Sequence, residues 1–164
     1  MIKNKKCFLI WAAASLFCMA VIFVFSSFNA DQSGGMSDSI VSTQITFFHD
    51  WFGLYASSVL IHVLSLIVRK SAHVFIFLML GVCAANTMRY LTDNGKVVFW
   101  ASLGWCSFYG ATDELHQYFV PGRACMWQDW VLDIIGAFIG IGFVFIYMRR
   151  QKFSPKQKKL PPKI

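Results

Sequence analysis

Four long apolar runs divide this chain, at residues 7–28, 70–88, 97–118 and 129–148. Each run is close to the roughly 20 residues that a helix needs to cross about 30 Å of hydrocarbon. The runs are continuously apolar, whereas the strands of a membrane barrel alternate between apolar and polar residues. A helix also satisfies its own backbone hydrogen bonds in lipid. The pattern predicts an all-α, polytopic membrane helix bundle with about four transmembrane helices.

A fifth apolar segment, residues 51–68, is interrupted by serines and a histidine. Its leucines and valines follow a helical spacing, but its polar residues disfavour full burial in hydrocarbon. We therefore expect a helix that lies on the extracytoplasmic membrane surface or enters the bilayer part of the way. The stretch before it, residues 29–50, is rich in Ser and Gly, and we expect it to form a mobile lid over the membrane domain.

The composition supports a membrane protein, because 57% of the residues are hydrophobic, compared with roughly 45–50% in soluble domains. Lysines precede the first run, and lysines and arginines follow the last one. This distribution predicts a multi-pass protein of the cell (plasma) membrane with both termini in the cytoplasm. We expect residues 1–148 to form one transmembrane domain and residues 149–164 to form a basic, proline-containing cytoplasmic tail that is disordered.

The net charge of +7 also bears on partners. Since many of the basic residues lie on the predicted cytoplasmic side, we interpret the charge as a topology signal and as attraction of the tail to anionic lipids, and we expect no nucleic-acid binding. The five cysteines include no CxxC pair, so we expect no disulfide framework and no cysteine metal site. An oligomer is compatible with the pattern, which leaves the oligomeric state open.

Charged and polar residues collect where three of the predicted helices end on the same side. In an alternating topology, the second helix begins, the third ends and the fourth begins outside. Ionisable residues at this depth are costly and usually functional, and residues three or four apart share a helix face. The candidate site residues are Lys70 and His73 on the second helix, Asp113, Glu114, His116 and Gln117 on the third, Arg123 in the following loop, and Asp129 and Asp133 on the fourth.

The loop between the third and fourth helices contains Pro121 and Gly122. This dipeptide predicts a tight turn, because proline presets φ and glycine tolerates positive φ. The turn would hold Arg123 over the mouth of the bundle. Asp129 opens the fourth helix, where a carboxylate either caps free backbone N–H groups or serves the site directly.

The polar motifs are more specific together than separately. They resemble the VanZ-like family in a short motif, Phe25-Ser26-Ser27, and in three longer ones: Arg69-Lys70-x-x-His73, Asp113-Glu114-x-His116-Gln117-x-Phe119-x-Pro121-Gly122-Arg123, and Asp129-x-x-x-Asp133-x-x-Gly136-x-x-x-Gly140. The two glycines of the last motif would allow another helix to approach closely. The resemblance implies a small bacterial inner-membrane protein of the cell envelope, in a family named after a factor linked to resistance to the glycopeptide teicoplanin.

The resemblance also implies which positions are functional. One of these positions, Asp133, departs from the family pattern, which commonly has asparagine there. The matching positions are Lys70, His73, Asp113, Glu114, Gln117, Arg123, Asp129 and Asp133.

Three functions suit these residues, and the first is lipid binding. Two cations beside an apolar bundle would bind the phosphate of a membrane lipid or of a lipid-linked envelope precursor, with an arginine giving a bidentate contact. The objection is that the carboxylates outnumber the cations. The substrate-binding residues would be Lys70, Arg123, Gln117, His116, Asp129 and Asp133.

The second function is an enzyme that acts on such a lipid, with Asp113 or Glu114 as general base, His73 as a further catalytic residue, and the cations stabilising the transition state. The sequence has no HExxH and no other dedicated ligand spacing, so we expect no resident metal and no cofactor.

In the third function, the charges only clamp three helices together, because intramembrane charges usually pair with one another. The protein would then be a structural or partner-binding membrane protein.

Overall fold

The described part of the protein forms five α-helices. The computed structural model describes residues 2, 4–52, 57–123 and 125–152, and this part of the chain contains no β-strand. The all-α prediction is therefore confirmed. The helices are α1 (Lys5–Ser27), α2 (Ala30–Phe52), α3 (Ser58–Met88), α4 (Gly95–Tyr118) and α5 (Trp127–Lys152).

The ends of α1, α4 and α5 lie within a few residues of the ends of the first, third and fourth apolar runs. Asn4, Ser57 and Asn94 accept hydrogen bonds from backbone N–H groups in the first turns of α1, α3 and α4. Such caps satisfy N–H groups that have no partner inside the helix. α5 continues through Lys152, so residues 149–152 are helical and the prediction that they are disordered is wrong. Residues 153–164 of the predicted tail lie outside the described residues.

Residues 30–52 form a regular helix, α2, which the sequence interpretation did not anticipate, and the mobile lid stays a prediction. Its start is a capping box: Gln32 N donates to Asn29 Oδ1 at 2.8 Å, and Asn29 N donates to Gln32 Oε1 at 3.2 Å. This reciprocal pair satisfies backbone N–H groups at a helix start and has a simple signature, a short polar residue followed three positions later by Glu or Gln. The signature Asn-x-x-Gln was therefore present in the sequence.

The surface helix predicted at residues 51–68 does not exist as a separate element. Residues 51–52 end α2, residues 53–56 lie outside the described part of the chain, and residues 58–68 are the first third of α3. Residues 58–68 contain neither Gly nor Pro, so the helical hydrogen bonding runs through them into the predicted membrane helix that begins at residue 70. With 31 residues, α3 is about 46 Å long.

Among the residues that the structure describes, three helices are long and apolar enough to cross a membrane: Lys5–Ser27, Ser58–Met88 and Trp127–Arg150. Large apolar side chains are exposed along them, including Phe17 on α1 and Phe143 on α5, as expected of surfaces that contact lipid. α4 has 24 residues but is less apolar. The apolar helices identify a membrane protein, whereas the count of four transmembrane helices stays a prediction.

α3 is the central helix, because it contacts each of the other four, most extensively α5. The two helices run parallel, and glycines bring them together. A Cβ atom at Gly136 would overlap the carbonyl oxygen of Val74, and one at Gly140 would overlap that of Leu78. The prediction that these two glycines allow a close helix approach is confirmed.

The contact at Gly140 is testable by adding a single methyl group. We expect Gly140→Ala to destabilise the protein by roughly 1–3 kcal/mol, because the added Cβ would overlap a backbone carbonyl that cannot move unless the helices separate. Gly142→Ala is the matched control, since nothing lies within 4 Å of a Cβ at that position. Thermal unfolding of both variants in one detergent measures the difference. Equal midpoints would contradict the close packing of α3 on α5.

Candidate functional site

A polar pocket lies where α4 ends and α5 begins, next to residues 69–73 of α3. Its cavity volume is about 20 Å³, and its empty space including the open mouth and solvent is about 340 Å³. All three cations of the site and most of its carboxylates face this space. Its lining residues are Arg69, Lys70, His73, Glu114, Gln117, Arg123, Asp129, Leu132 and Asp133.

Asp113 does not line the polar pocket but lies beside it, where it joins α4 to α1. Its Oδ2 atom accepts hydrogen bonds from Ser26 Oγ and from Gln117 Nε2, both at 2.8 Å. All three side chains are buried. Ser26 belongs to the short Phe-Ser-Ser motif and received no role from the sequence, because its partner lies 87 residues away.

Two acidic residues of α5 face two basic residues of α3. Lys70 Nζ and Asp129 form an ion pair, whereas His73 Nδ1 and Asp133 Oδ1 are 3.9 Å apart. Asp133 is only 1% exposed, and its Oδ2 atom has no hydrogen-bond partner within the described residues. A buried carboxylate oxygen without a hydrogen-bond donor is energetically costly. The described residues therefore leave the hydrogen-bonding requirement of Asp133 Oδ2 unmet.

The loop after α4 holds Arg123 at the pocket, as predicted. Arg123 N donates to Val120 O at 3.1 Å, and Gly122 has a φ of 76°, so residues 120–123 form the predicted Pro-Gly turn. Arg123 Nη2 donates to the carbonyl oxygen of Phe25 at 3.1 Å. Its Nε atom is buried and has no partner in the described part of the chain.

Burial, followed by the positive charge of Arg69, lowers the pKa of Arg123 from its ordinary value, while Asp113 and Glu114 oppose that change. An arginine guanidinium stays protonated in proteins, so Arg123 keeps its positive charge. Glu114 supports the same loop, because its Oε2 atom accepts a hydrogen bond from the backbone N–H of Met126 at 2.9 Å. The loop is thereby held at both ends.

His116 is the one predicted site residue that lies away from the polar pocket and from the residues bordering it. Its Nε2 atom is 3.1 Å from Ser27 Oγ, and its ring stacks on Phe23 with 4.7 Å between centroids. The remaining predicted residues line the pocket or, in the case of Asp113, lie next to it.

An apolar groove borders the polar pocket, with a cavity volume of about 120 Å³ and about 570 Å³ of empty space when its open side is included. It lies between the end of α1, the start of α2 and the middle of α3. The sequence interpretation missed it, although Ser33, Met36, Ser37 and Ile40 follow helical spacing, because α2 was not recognised. The lining residues are Phe25, Phe28, Ser33, Met36, Ser37, Ile40, Val68, Arg69, Ala72, His73, Ile76 and Arg123.

Comparison with protein families gives a match that includes the whole polar pocket. The model of the VanZ/LLP1 family matches residues 11–148. No curated protein and no solved structure gives a significant match. The family match covers most of the chain and agrees with the resemblance found in its motifs. The chain therefore belongs to the VanZ/LLP1 family.

Proposed function

We propose that this protein binds a phosphate-bearing lipid or a lipid-linked envelope precursor, with the head group in the polar pocket and the hydrocarbon chain in the apolar groove. One observation carries the proposal: the two spaces share Arg69, His73 and Arg123. A polar pocket that contains two guanidinium groups and adjoins an apolar groove suits an amphiphile with an anionic head, because each part of the molecule meets a matching environment.

The excess of carboxylates does not prevent binding of an anion. Asp129 is paired with Lys70, and Glu114 and Asp113 accept hydrogen bonds from the protein. Arg69 makes no ion pair in the described part of the chain, and Arg123 uses one nitrogen on a backbone carbonyl. These two guanidinium groups are therefore the natural contacts for phosphate, which arginine binds in bidentate fashion.

The membrane topology is part of the proposal. The positions of lysine and arginine favour four spans in the bacterial cell membrane, with both termini in the cytoplasm and the basic tail near anionic lipids. The polar pocket then opens outward at head-group depth. α2 and the first third of α3 extend past that level, since α3 is longer than the roughly 30 Å of hydrocarbon.

A contribution to teicoplanin-type resistance is also proposed, on the family resemblance alone. It would act through the envelope precursor that the site binds. The catalytic roles of Asp113, Glu114 and His73 stay predictions, because lipid binding alone accounts for the pocket and the groove.

The alternative function is a helix clamp, which the buried contacts of Asp113 with α1 favour. Two observations weigh against it as the whole explanation. The side chains of Lys70 and Asp129 are 37% and 26% exposed, and ion pairs with such exposure contribute only about 0–1 kcal/mol. A clamp would also satisfy its own polar atoms, whereas Asp133 Oδ2 and Arg123 Nε have no partner within the described residues.

Native mass spectrometry after gentle extraction tests the head-group contact. We expect wild type to retain a phosphate-bearing lipid and Arg123→Ala to lose most of it, because the pocket loses a guanidinium group. Lys96→Ala is the control, since Lys96 is exposed at the start of α4, the end of that helix away from the pocket. Equal lipid retention in all three proteins would contradict the proposed site. No lipid in any of them, with a destabilised Arg123→Ala, would favour the clamp.

Filling the apolar groove tests the hydrocarbon contact separately. Ala72 lines the groove and is exposed, so Ala72→Phe adds a ring there without overpacking the core. We expect lower lipid retention with an unchanged thermal midpoint, whereas Ser71→Phe, at the neighbouring exposed position, should retain lipid as wild type does. If both variants retain lipid equally, the chain of the ligand does not lie in this groove.

The topology can be tested with a native cysteine. Cys125 is exposed in the loop beside the pocket, whereas Cys83 and Cys106 are buried in helices. The reagent is a membrane-impermeant thiol label, applied to cells whose inner membrane is intact and whose outer membrane, where there is one, has been permeabilised. We expect it to label wild type and not Cys125→Ser. Labelling of Cys125 only after the inner membrane is opened would show that the pocket faces the cytoplasm.

A further inference from the structure

We propose that His73, Asp113 and Asp133 bind a divalent transition-metal ion, either Zn²⁺ or Mn²⁺. One ligand atom from each residue, an imidazole nitrogen and two carboxylate oxygens, lies within 4.8 Å of the other two. The three residues come from α3, α4 and α5, one from each. No local sequence motif identifies such a cluster, which is why the sequence led us to expect no metal.

The separation of the groups suits a shared ion better than a hydrogen bond. His73 Nδ1 and Asp133 Oδ1 are 3.9 Å apart, beyond the 2.7–3.2 Å typical of a hydrogen bond. Ligands held at about 2 Å from one tetrahedral ion stand roughly 3.3 Å from each other. Small side-chain rotations would close the cluster around an ion.

The unpartnered oxygen of Asp133 is an independent observation. The side chain is 1% exposed, and Oδ2 accepts no hydrogen bond from any described residue. Buried charges are normally paired or coordinate a metal. Asp129, one turn earlier on α5, differs because Lys70 neutralises it. The Oδ1 atom of Asp133 faces the imidazole of His73 at 3.9 Å. Among the described residues, Asp133 forms no ion pair with a lysine or an arginine.

The surroundings of Asp113 would orient it as a ligand. Ser26 and Gln117 both donate to Oδ2, which leaves Oδ1 for the ion. Outer hydrogen bonds of this kind fix the orientation of metal-binding side chains and typically change affinity 10–100-fold when removed. Three helices therefore supply the ligands, and α1 supplies an outer contact through Ser26.

The ligand set also points to the kind of ion. Calcium and magnesium prefer oxygen ligands alone, whereas an imidazole with carboxylates suits zinc or manganese. Two carboxylates and a neutral imidazole balance a divalent charge. His73 and Asp133 also line the polar pocket, so open coordination positions would face it. Contact between the ion and a phosphate there rests on the proposed lipid function, whereas metal binding itself does not.

The test is the metal content of the detergent-purified protein. Protein freed of metal is incubated with Zn²⁺ or Mn²⁺, excess ion is removed by gel filtration, and bound metal is measured by elemental mass spectrometry. We expect a stoichiometric amount in wild type and in Asp31→Asn, an exposed carboxylate control on α2. His73→Gln and Asp133→Asn should lose the ion, and Ser26→Ala should bind it roughly 10–100-fold more weakly.

The proposal is overturned if wild type holds no more of either ion than Asp133→Asn does. Circular dichroism verifies that the variants are folded, and two variants on different helices guard against one that fails to fold. Lipid retention is measured on the same samples. Wild type that binds metal but no lipid would refute only the lipid function, and wild type that binds lipid but no metal would refute only the metal site.

Discussion

The close contact between α3 and α5 is the constraint on which the site depends. Because Gly136 and Gly140 have no side chains, the two helix backbones meet at Val74 and Leu78. The same seam continues toward the start of α5, where Asp133 faces His73 and Asp129 pairs with Lys70. The polar pocket thus lies at one end of the packing interface between α3 and α5. The charged side chains of these two helices lie close together there because Gly136 and Gly140, further along α5, bring the helices together.

This arrangement explains why some polar groups are satisfied and others are not. A membrane protein gains little from burying charge, because removal of ions from water costs several kcal/mol per ion even when they pair. Asp113 and Glu114 receive hydrogen bonds from the protein itself. Among the described residues, four buried side-chain atoms lack such partners: Asp133 Oδ2 and Arg123 Nε at the pocket, and the hydroxyl oxygens of Ser65 and Ser102 away from it. The first two belong to residues that line the pocket, where a bound ligand or ion would supply the missing partners.

The sequence was sufficient for features that are local. Continuous apolar runs set the ends of α1, α4 and α5, and the spacing of polar residues placed Lys70 and His73, and Asp129 and Asp133, on common faces. The contact between Ser26 and Asp113 was beyond such reasoning, because it joins residues 87 positions apart. His116 was assigned to the site by proximity in the chain. At about 100° per residue, however, it lies roughly 160° around the helix from Glu114, and so it faces Phe23 and not the pocket.

His73 is the point where the three features of the site meet. It lines the polar pocket and the apolar groove, and it belongs to the cluster with Asp113 and Asp133. A substitution of His73 therefore cannot by itself separate a head-group contact, a hydrocarbon contact and a metal ligand. Arg123 borders both spaces without belonging to the cluster, Ala72 borders only the groove, and Asp133 borders only the pocket and belongs to the cluster. Substitutions of Arg123, Ala72 and Asp133 together distinguish the three roles, because each of these residues has a different combination of pocket, groove and cluster.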